Sequence, residues 1–413
     1  MNILMLGRWV PPPRRPVRAM REYQFARHLA RTHRLTLAFV TDNPDTAGSI
    51  SALRSEFRDL EFAAVPRAWK SLTGAVSLAT GESCTLSYFR SEALRTRLDE
   101  RLRRTRYDLV CVSSSGMIQY ALDIDQTIPL IVDFGEVDSE WWLQRAARGS
   151  FPSTRFFRTE AVRLRAAEAT AARRAVRCVG GSAEAADIVK RFAPDVPMVV
   201  IRNGVDVEAL GSSPAHSKVP TVLLSTSLAG DPEIRDAIEF QRTVMPIVRR
   251  RVPGARLVIL SKEPVNPTLA GALTGAELVV GVPDPGLMLH QSMVAVAPLR
   301  HGMDLQRSVL EPMGAAMAVV ATSAVLKGLA VSAGLELLVA DEPKDFALKV
   351  VHLLAKDALR AELGARAQSF VMEHYSWNHM ATQFGQVVEG INQPPASAAT
   401  SGPVPEPLAK AQR

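Results

Sequence analysis

Short apolar runs that end at glycine or a small polar residue alternate with helix-spaced segments, and the alternation occurs twice along this chain. Asn2-Ile3-Leu4-Met5-Leu6-Gly7 has the composition of a strand buried on both faces. A proline-rich loop over 11–16 and a helix-spaced stretch over 20–32 follow. Further strand-like runs lie at 35–40, 108–113, 129–133 and 176–180, and a long Ala/Arg helix spans 155–174. Strand alternating with helix predicts a doubly wound α/β domain. The pattern restarts after Asn203-Gly204-Val205-Asp206. Strands are predicted at 221–225, 255–260, 276–280, 294–298 and 318–322. Helices are predicted at 236–251, 309–316, 345–356, 358–374 and 376–391.

This gives two α/β domains. The first covers 1–206 and is joined by the C-terminal helix 376–391. A small, polar linker at 207–217 leads to the second domain at 218–375, and a Pro/Ala/Ser-rich tail at 393–413 is expected to be disordered. The length of 413 residues supports two real cores, and 47% apolar against 22% charged residues excludes general disorder.

No uncharged apolar run reaches about 18 residues, so no transmembrane helix is expected. The N-terminal apolar run has no basic residue before it and no cleavage site, unlike a signal peptide. Cys84, Cys111 and Cys178 are too few and too scattered for a disulfide framework or a zinc site, so no metal is expected. A cytoplasmic location follows as the default.

Charge is uneven. Residues 1–200 carry eight excess positive charges, the remainder one excess negative charge, and 40 of the 49 basic residues are arginine. Eight arginines stand in residues 1–34 against one acid, Glu22. Such a face suits phosphates or an anionic lipid surface, and equally a plain solvated surface. A nucleic-acid partner is not expected, since no RNP aromatic motif, KH loop or zinc finger is present.

Six stretches form a recognisable ordered set: Val132 to Ser139, Asn203 to Asp206, Ala297 to Arg300, Val309-Leu310-Glu311-Pro312-Met313, Glu336 to Ala340, and Tyr375-Ser376-Trp377. On these the chain resembles the GT-B glycosyltransferases of family 4, over roughly residues 1–385. It is most similar to the sugar transferases associated with exopolysaccharide and PEP-CTERM/exosortase systems.

The resemblance implies two Rossmann-like domains facing a cleft. It implies a nucleotide-diphosphate-sugar donor held mainly by the C-terminal domain and a lipid-linked or glycan acceptor held mainly by the N-terminal one. Transfer would retain anomeric configuration without a metal or other cofactor, and the enzyme would work in exopolysaccharide biosynthesis. It would sit in the cytoplasm, peripheral on the inner face of an anionic membrane.

The resemblance also nominates residues. Glu311 would accept hydrogen bonds from the donor ribose, a task suited to a carboxylate. Arg300, Gln306, Arg307 and Ser308 lie on the loop before its helix. Relatives place a lysine where Ser308 stands and a second glutamate where Met303 stands, so Arg307 or Arg300 would supply charge to the leaving diphosphate. In the first loop, the relatives' Gly-Asp-Lys-x-Arg corresponds to Val17, Arg18, Ala19, Met20 and Arg21; Arg21 matches and Arg18 is a candidate anion ligand. Glu136 or Asp138 would touch the acceptor hydroxyl as a general base. Alternatively Asp138 or Ser139 caps the helix that follows. The departures at Val17, Ala19, Met303 and Ser308 leave open a second reading, a GT-B protein that has lost catalysis and serves as a binding or scaffold partner.

Overall fold

The computed structural model describes residues 1–8, 17–41, 47–65, 77, 80–211, 219–226, 231–261, 271–281, 285–300, 306–327 and 329–392. Several expectations lie outside these residues: the 11–16 loop, most of the linker, Met303 and the 393–413 tail. So do the side chains of Val17, Arg18, Ala19 and Met20.

Two compact units emerge. One is Met1–Gly204 together with the C-terminal segment from Met380; the other is Val205–His379. In the first, β1 (Asn2–Gly7) leads to α1 (Val17–Leu29), β2 (Arg34–Thr41), α2 (Ala47–Glu56) and β3 (Asp59–Ala64). Next come α3 (Cys84–Tyr88), α4 (Glu92–Arg104), β4 (Leu109–Ser113), α5 (Ile118–Leu122) and β5 (Leu130–Gly135). The helices α6 (Asp138–Arg148) and α7 (Ser153–Arg174) follow, then β6 (Arg177–Gly180), α8 (Ala183–Phe192) and β7 (Met198–Val200).

The second unit opens with α9 (Val207–Leu210), β8 (Thr221–Thr226), α10 (Asp231–Thr243), α11 (Met245–Arg251) and β9 (Arg256–Ser261). It continues with β10 (Glu277–Val280), α12 (Pro285–His290), β11 (Val294–Ala297), α13 (Arg307–Gly314), β12 (Val319–Ala321) and β13 (Leu338–Val339). It closes with α14 (Pro343–Ala355), α15 (Asp357–His374) and the start of α16 (Trp377–Glu389).

Both sheets are parallel, with strand orders β3-β2-β1-β4-β5-β6-β7 and β10-β9-β8-β11-β12-β13. Each is a Rossmann-like α/β unit. The central strands are apolar throughout because helices cover both faces. In the second sheet Val222 and Leu224 enter one core while Leu223, between them, enters the core on the opposite face. In the first unit Phe25 of α1 stacks on Phe384 of α16 at 4.3 Å between ring centroids, so the C-terminal helix belongs to that core from Met380 onward.

Three details differ from the sequence reading. Residues 207–210, read as linker, form α9, capped by Asp206, whose carboxylate accepts from the Ala209 N–H at 3.1 Å. Val205 and Leu210 are buried in a core of the second unit, so that unit starts at 205 rather than 218. The helix expected over 236–251 is two helices broken at Val244. Pro246 has no N–H to donate and its ring crowds the carbonyl four residues back, so it is tolerated only in a new first turn.

Candidate active site

In the first unit the strand order reverses direction between β1 and β4, and open α/β sheets bind ligands at such a point, beyond the strands' C-terminal ends. A shallow, open pocket lies there. Arg8 follows β1, Ser113 and Ser114 end β4, Asp133 and Gly135 end β5, and Arg21, Glu136, Asp138 and Asn203 complete the wall. The structure thus brings Arg21, Glu136 and Asp138 together.

Their roles are unequal. Arg21 is only 3% exposed and its guanidinium is occupied. Nε and Nη2 each donate to the Asp133 carboxylate at 2.9 Å, and Nη1 donates to the Ile201 carbonyl at 2.8 Å and to the Asn203 side chain at 3.3 Å. The arginine also lies 4.6 Å from the Phe25 ring centroid. Nominated as a substrate ligand, Arg21 is here a clamp that ties α1 to the end of β5 and to the chain leaving β7. Gly135, at φ +59°, places its backbone beside Arg21, a conformation that a Cβ disfavours, and its N–H donates to Asp133 at 3.1 Å.

Asp138 is the first residue of α6, with Val137 at the cap position and no side-chain cap bond. Neither Asp138 nor Ser139 caps the helix. Asp138 accepts instead from the Ser115 N–H at 3.2 Å, across from the β4 end. Glu136, two residues earlier, is exposed.

Beneath this wall stands Glu168 of α7, fully buried. It accepts from the Ser115 hydroxyl at 2.6 Å, the Ser139 N–H at 3.1 Å and the Ser139 hydroxyl. One carboxylate therefore holds both loops that form the pocket. Burial pushes its pKa up, the hydroxyls of Ser115 and Ser139 oppose that, and the Asp138 charge adds to the rise. Glu160, two turns earlier, serves the start of α3 similarly, accepting from the Ser83 hydroxyl (2.6 Å) and the Cys84 (2.7 Å) and Thr85 (2.9 Å) N–H groups.

Sequence reasoning missed Glu160 and Glu168. Their signal was two acids eight residues apart in an otherwise basic helix. It also missed Ser113 and Ser114. Both hydroxyls are buried with no hydrogen-bond partner among the described residues, and Ser114 adopts φ +78°, an uncommon conformation for a side-chain-bearing residue. Three consecutive serines after an apolar run was the available cue.

In the second unit Gln306, Arg307, Ser308 and Glu311 gather at the start of α13. Arg307 Nε donates to Glu311 Oε1 at 2.6 Å, one helical turn apart, and both are mostly buried. Gln306 occupies the cap position and donates to the Lys327 carbonyl at 2.9 Å, while Ser308 is 3% exposed. Arg300 is placed elsewhere. Its N–H donates to Asp236 at 2.7 Å and its Nη2 to the Asp341 carbonyl at 2.9 Å, in a separate shallow pocket between α10 and α14. No hydrogen bond or ion pair among the described residues joins Arg300 to Arg307 or Glu311.

Two cysteines are inert. Burial pushes the Cys111 thiol far up and the Cys178 thiol up to about 12. No group of metal-binding side chains occurs among the described residues, and no helix there is long and apolar enough to cross a membrane.

Residues 220–356, which include α13 and Arg300, match the family described as Glycosyl transferases group 1. This segment of the second unit is similar to the group 1 glycosyl transferases. Over the whole chain the fold is GT-B. Sucrose-phosphate synthase from Thermosynechococcus elongatus superposes with a TM-score of 0.62 at 12% identity, covering 95% of this chain and 99% of that one. HepE of Anabaena, in complex with UDP and glucose, gives 0.61 at 14% identity, covering 94% and 99%. TarM, known from S. aureus, gives 0.63 at 12% identity, covering 95% and 98%. No curated protein matches the sequence.

Proposed function

We propose that this chain is a glycosyltransferase that moves a sugar from a nucleotide-diphosphate sugar to a lipid-linked or polysaccharide acceptor in exopolysaccharide biosynthesis, with retention and without a metal. The observation that carries the reading is the group 1 glycosyltransferase match over residues 220–356, with Glu311 inside it. HepE, a fold neighbour, has been seen with UDP-glucose, which makes a UDP-sugar the first donor to try.

In this reading Glu311 accepts from the donor ribose. Arg307, one turn earlier, turns toward the leaving diphosphate as the bond from the anomeric carbon to oxygen breaks. The positive end of the α13 helix dipole adds to that stabilisation. In the first unit the acceptor occupies the pocket at the β1–β4 switch point, where Glu136 or Asp138 accepts the proton of the attacking hydroxyl. Calorimetry with UDP-, GDP- and ADP-sugars, followed by transfer of labelled sugar to lipid and glycan fractions, tests the proposal.

One observation favours the catalytically degenerate reading. The charges nominated for phosphate already have partners in the chain, Arg307 with Glu311 and Arg21 with Asp133. A folded protein that binds no nucleotide sugar in that screen is a scaffold rather than an enzyme.

A further inference from the structure

The helices α6 and α7 form a hairpin that carries an uncommon combination of exposed groups. Phe151, in the connection, is 83% exposed, Trp141 is 41% exposed and Val162 is 69% exposed. Trp141 and Trp142 meet edge to face at 4.8 Å, and Trp142 packs on Phe157 at 5.6 Å. The Arg145 guanidinium lies 5.3 Å from the Trp141 ring centroid and 5.1 Å from that of Phe157. This is a braced aromatic platform, not a set of loose side chains.

Charge around it is of one sign. The outward face of α7 presents Arg155, Arg158 and Val162 in a row at helical spacing. The only two acids of α7, Glu160 and Glu168, are both buried and committed to hydrogen bonds inside the unit. On α6, Glu140 is paired with Arg165 at 2.9 Å. The hairpin thus joins exposed Trp and Phe to Arg145, Arg155 and Arg158, which form no ion pair among the described residues. Aromatic rings with an adjoining apolar residue suit the interfacial zone of a bilayer, and arginines suit anionic headgroups. A protein partner needs no such uniform sign.

We propose that the exposed face of this hairpin, made by Trp141 and Arg145 on α6, Phe151 in the connection, and Arg155, Arg158 and Val162 on α7, is a membrane-seating surface for an anionic bilayer. The place in the fold fits that use. The helix α6 begins at the pocket residue Asp138 and ends about 16 Å away, at the residue rise of a helix. Trp141 stands only about 4.5 Å of helix rise from Asp138, so the seated face holds the first-unit pocket close to the lipid, within reach of a headgroup-linked sugar. That last step rests on the acceptor reading above; the seating itself does not.

The test is flotation of the full chain with phosphatidylcholine vesicles, with and without phosphatidylglycerol, at low and high salt. The expected result is binding to anionic vesicles that salt weakens. Phe151→Ser combined with Trp141→Ser should lower that binding by about tenfold or more, and Arg155→Glu with Arg158→Glu should do the same. Nucleotide-sugar affinity should stay as in the wild type, and melting temperature should stay so in the arginine variant and in Phe151→Ser alone, which should also weaken vesicle binding, since those positions are exposed while Trp141 packs on Trp142. A Phe151→Trp variant should retain binding and show a blue-shifted emission on adding anionic vesicles.

Equal vesicle binding by wild type and both double variants overturns the proposal, as does absence of binding at low salt. It is also overturned if the variants leave vesicle binding unaltered but abolish a dimer seen by light scattering, because this face then seats a second copy. Loss of the glycosyltransferase reading looks different: no nucleotide sugar binds, while vesicle binding persists.

Discussion

Arg21 and Asp133 form a two-armed ion pair, 2.9 Å on each arm, with about 4% and 3% of their side chains exposed. Removing one partner of such a pair leaves an uncompensated buried charge. Arg21→Ala should therefore destabilise the first unit by about 3–5 kcal/mol, and Arg21→Met with Asp133→Leu should recover much of the loss. Urea denaturation of the three proteins measures this. Wild-type stability in Arg21→Ala shows that the clamp contributes nothing.

Glu168 predicts a pH dependence. Its carboxyl titrates above the ordinary value when folded, mainly through burial, so the folded chain holds that proton more tightly than the unfolded one. Its contribution is fully present below the unfolded pKa, about 4.5, and is lost as pH rises through the folded value. Glu168→Gln removes the titration while keeping a polar group between Ser115 and Ser139. The stability of this variant relative to wild type should rise as pH is raised through that window, read from melting curves at a series of pH values. A pH-independent difference contradicts the assignment.

Glu311→Ala should weaken nucleotide-sugar binding by about 1–3 kcal/mol, the cost of losing hydrogen bonds to a charged acceptor. Isothermal calorimetry of the folded variant gives the number directly. Unaltered affinity removes Glu311 from the donor site.

Arg307→Ala should act mainly on rate. A cation that meets charge developing on the leaving diphosphate matters most in the transition state, so turnover should fall on the order of 10²-fold with a smaller change in donor affinity. A fall in affinity with turnover intact would assign Arg307 to ground-state binding instead.

The sequence carried the fold through its long central strands. Runs such as Ile3–Leu6 and Val222–Leu224 are apolar on both faces, and their alternation with helices leaves few topologies. Edge elements were harder. Asp59–Ala64, Met198–Val200 and Leu338–Val339 are short or mixed in polarity, and pairing with a neighbour rather than local pattern makes them strands.

At the site, residue type was legible and engagement was not. The acids at 136 and 138 do reach one pocket with Arg21. The burial of Arg21 against Asp133 depends on residues 112 positions apart. Arg300 was grouped with Arg307 because the two are close in sequence. In the structure Asp236 and the Asp341 carbonyl instead hold Arg300 in another pocket.

The central claim is that this chain binds and uses a nucleotide-diphosphate sugar through the start of α13. The most direct measurement is calorimetric titration of the intact protein with a panel of UDP-, GDP- and ADP-sugars, wild type beside Glu311→Ala. The account predicts saturable binding of at least one donor, weakened in the variant by about 1–3 kcal/mol. A folded wild-type protein that binds none of them contradicts it.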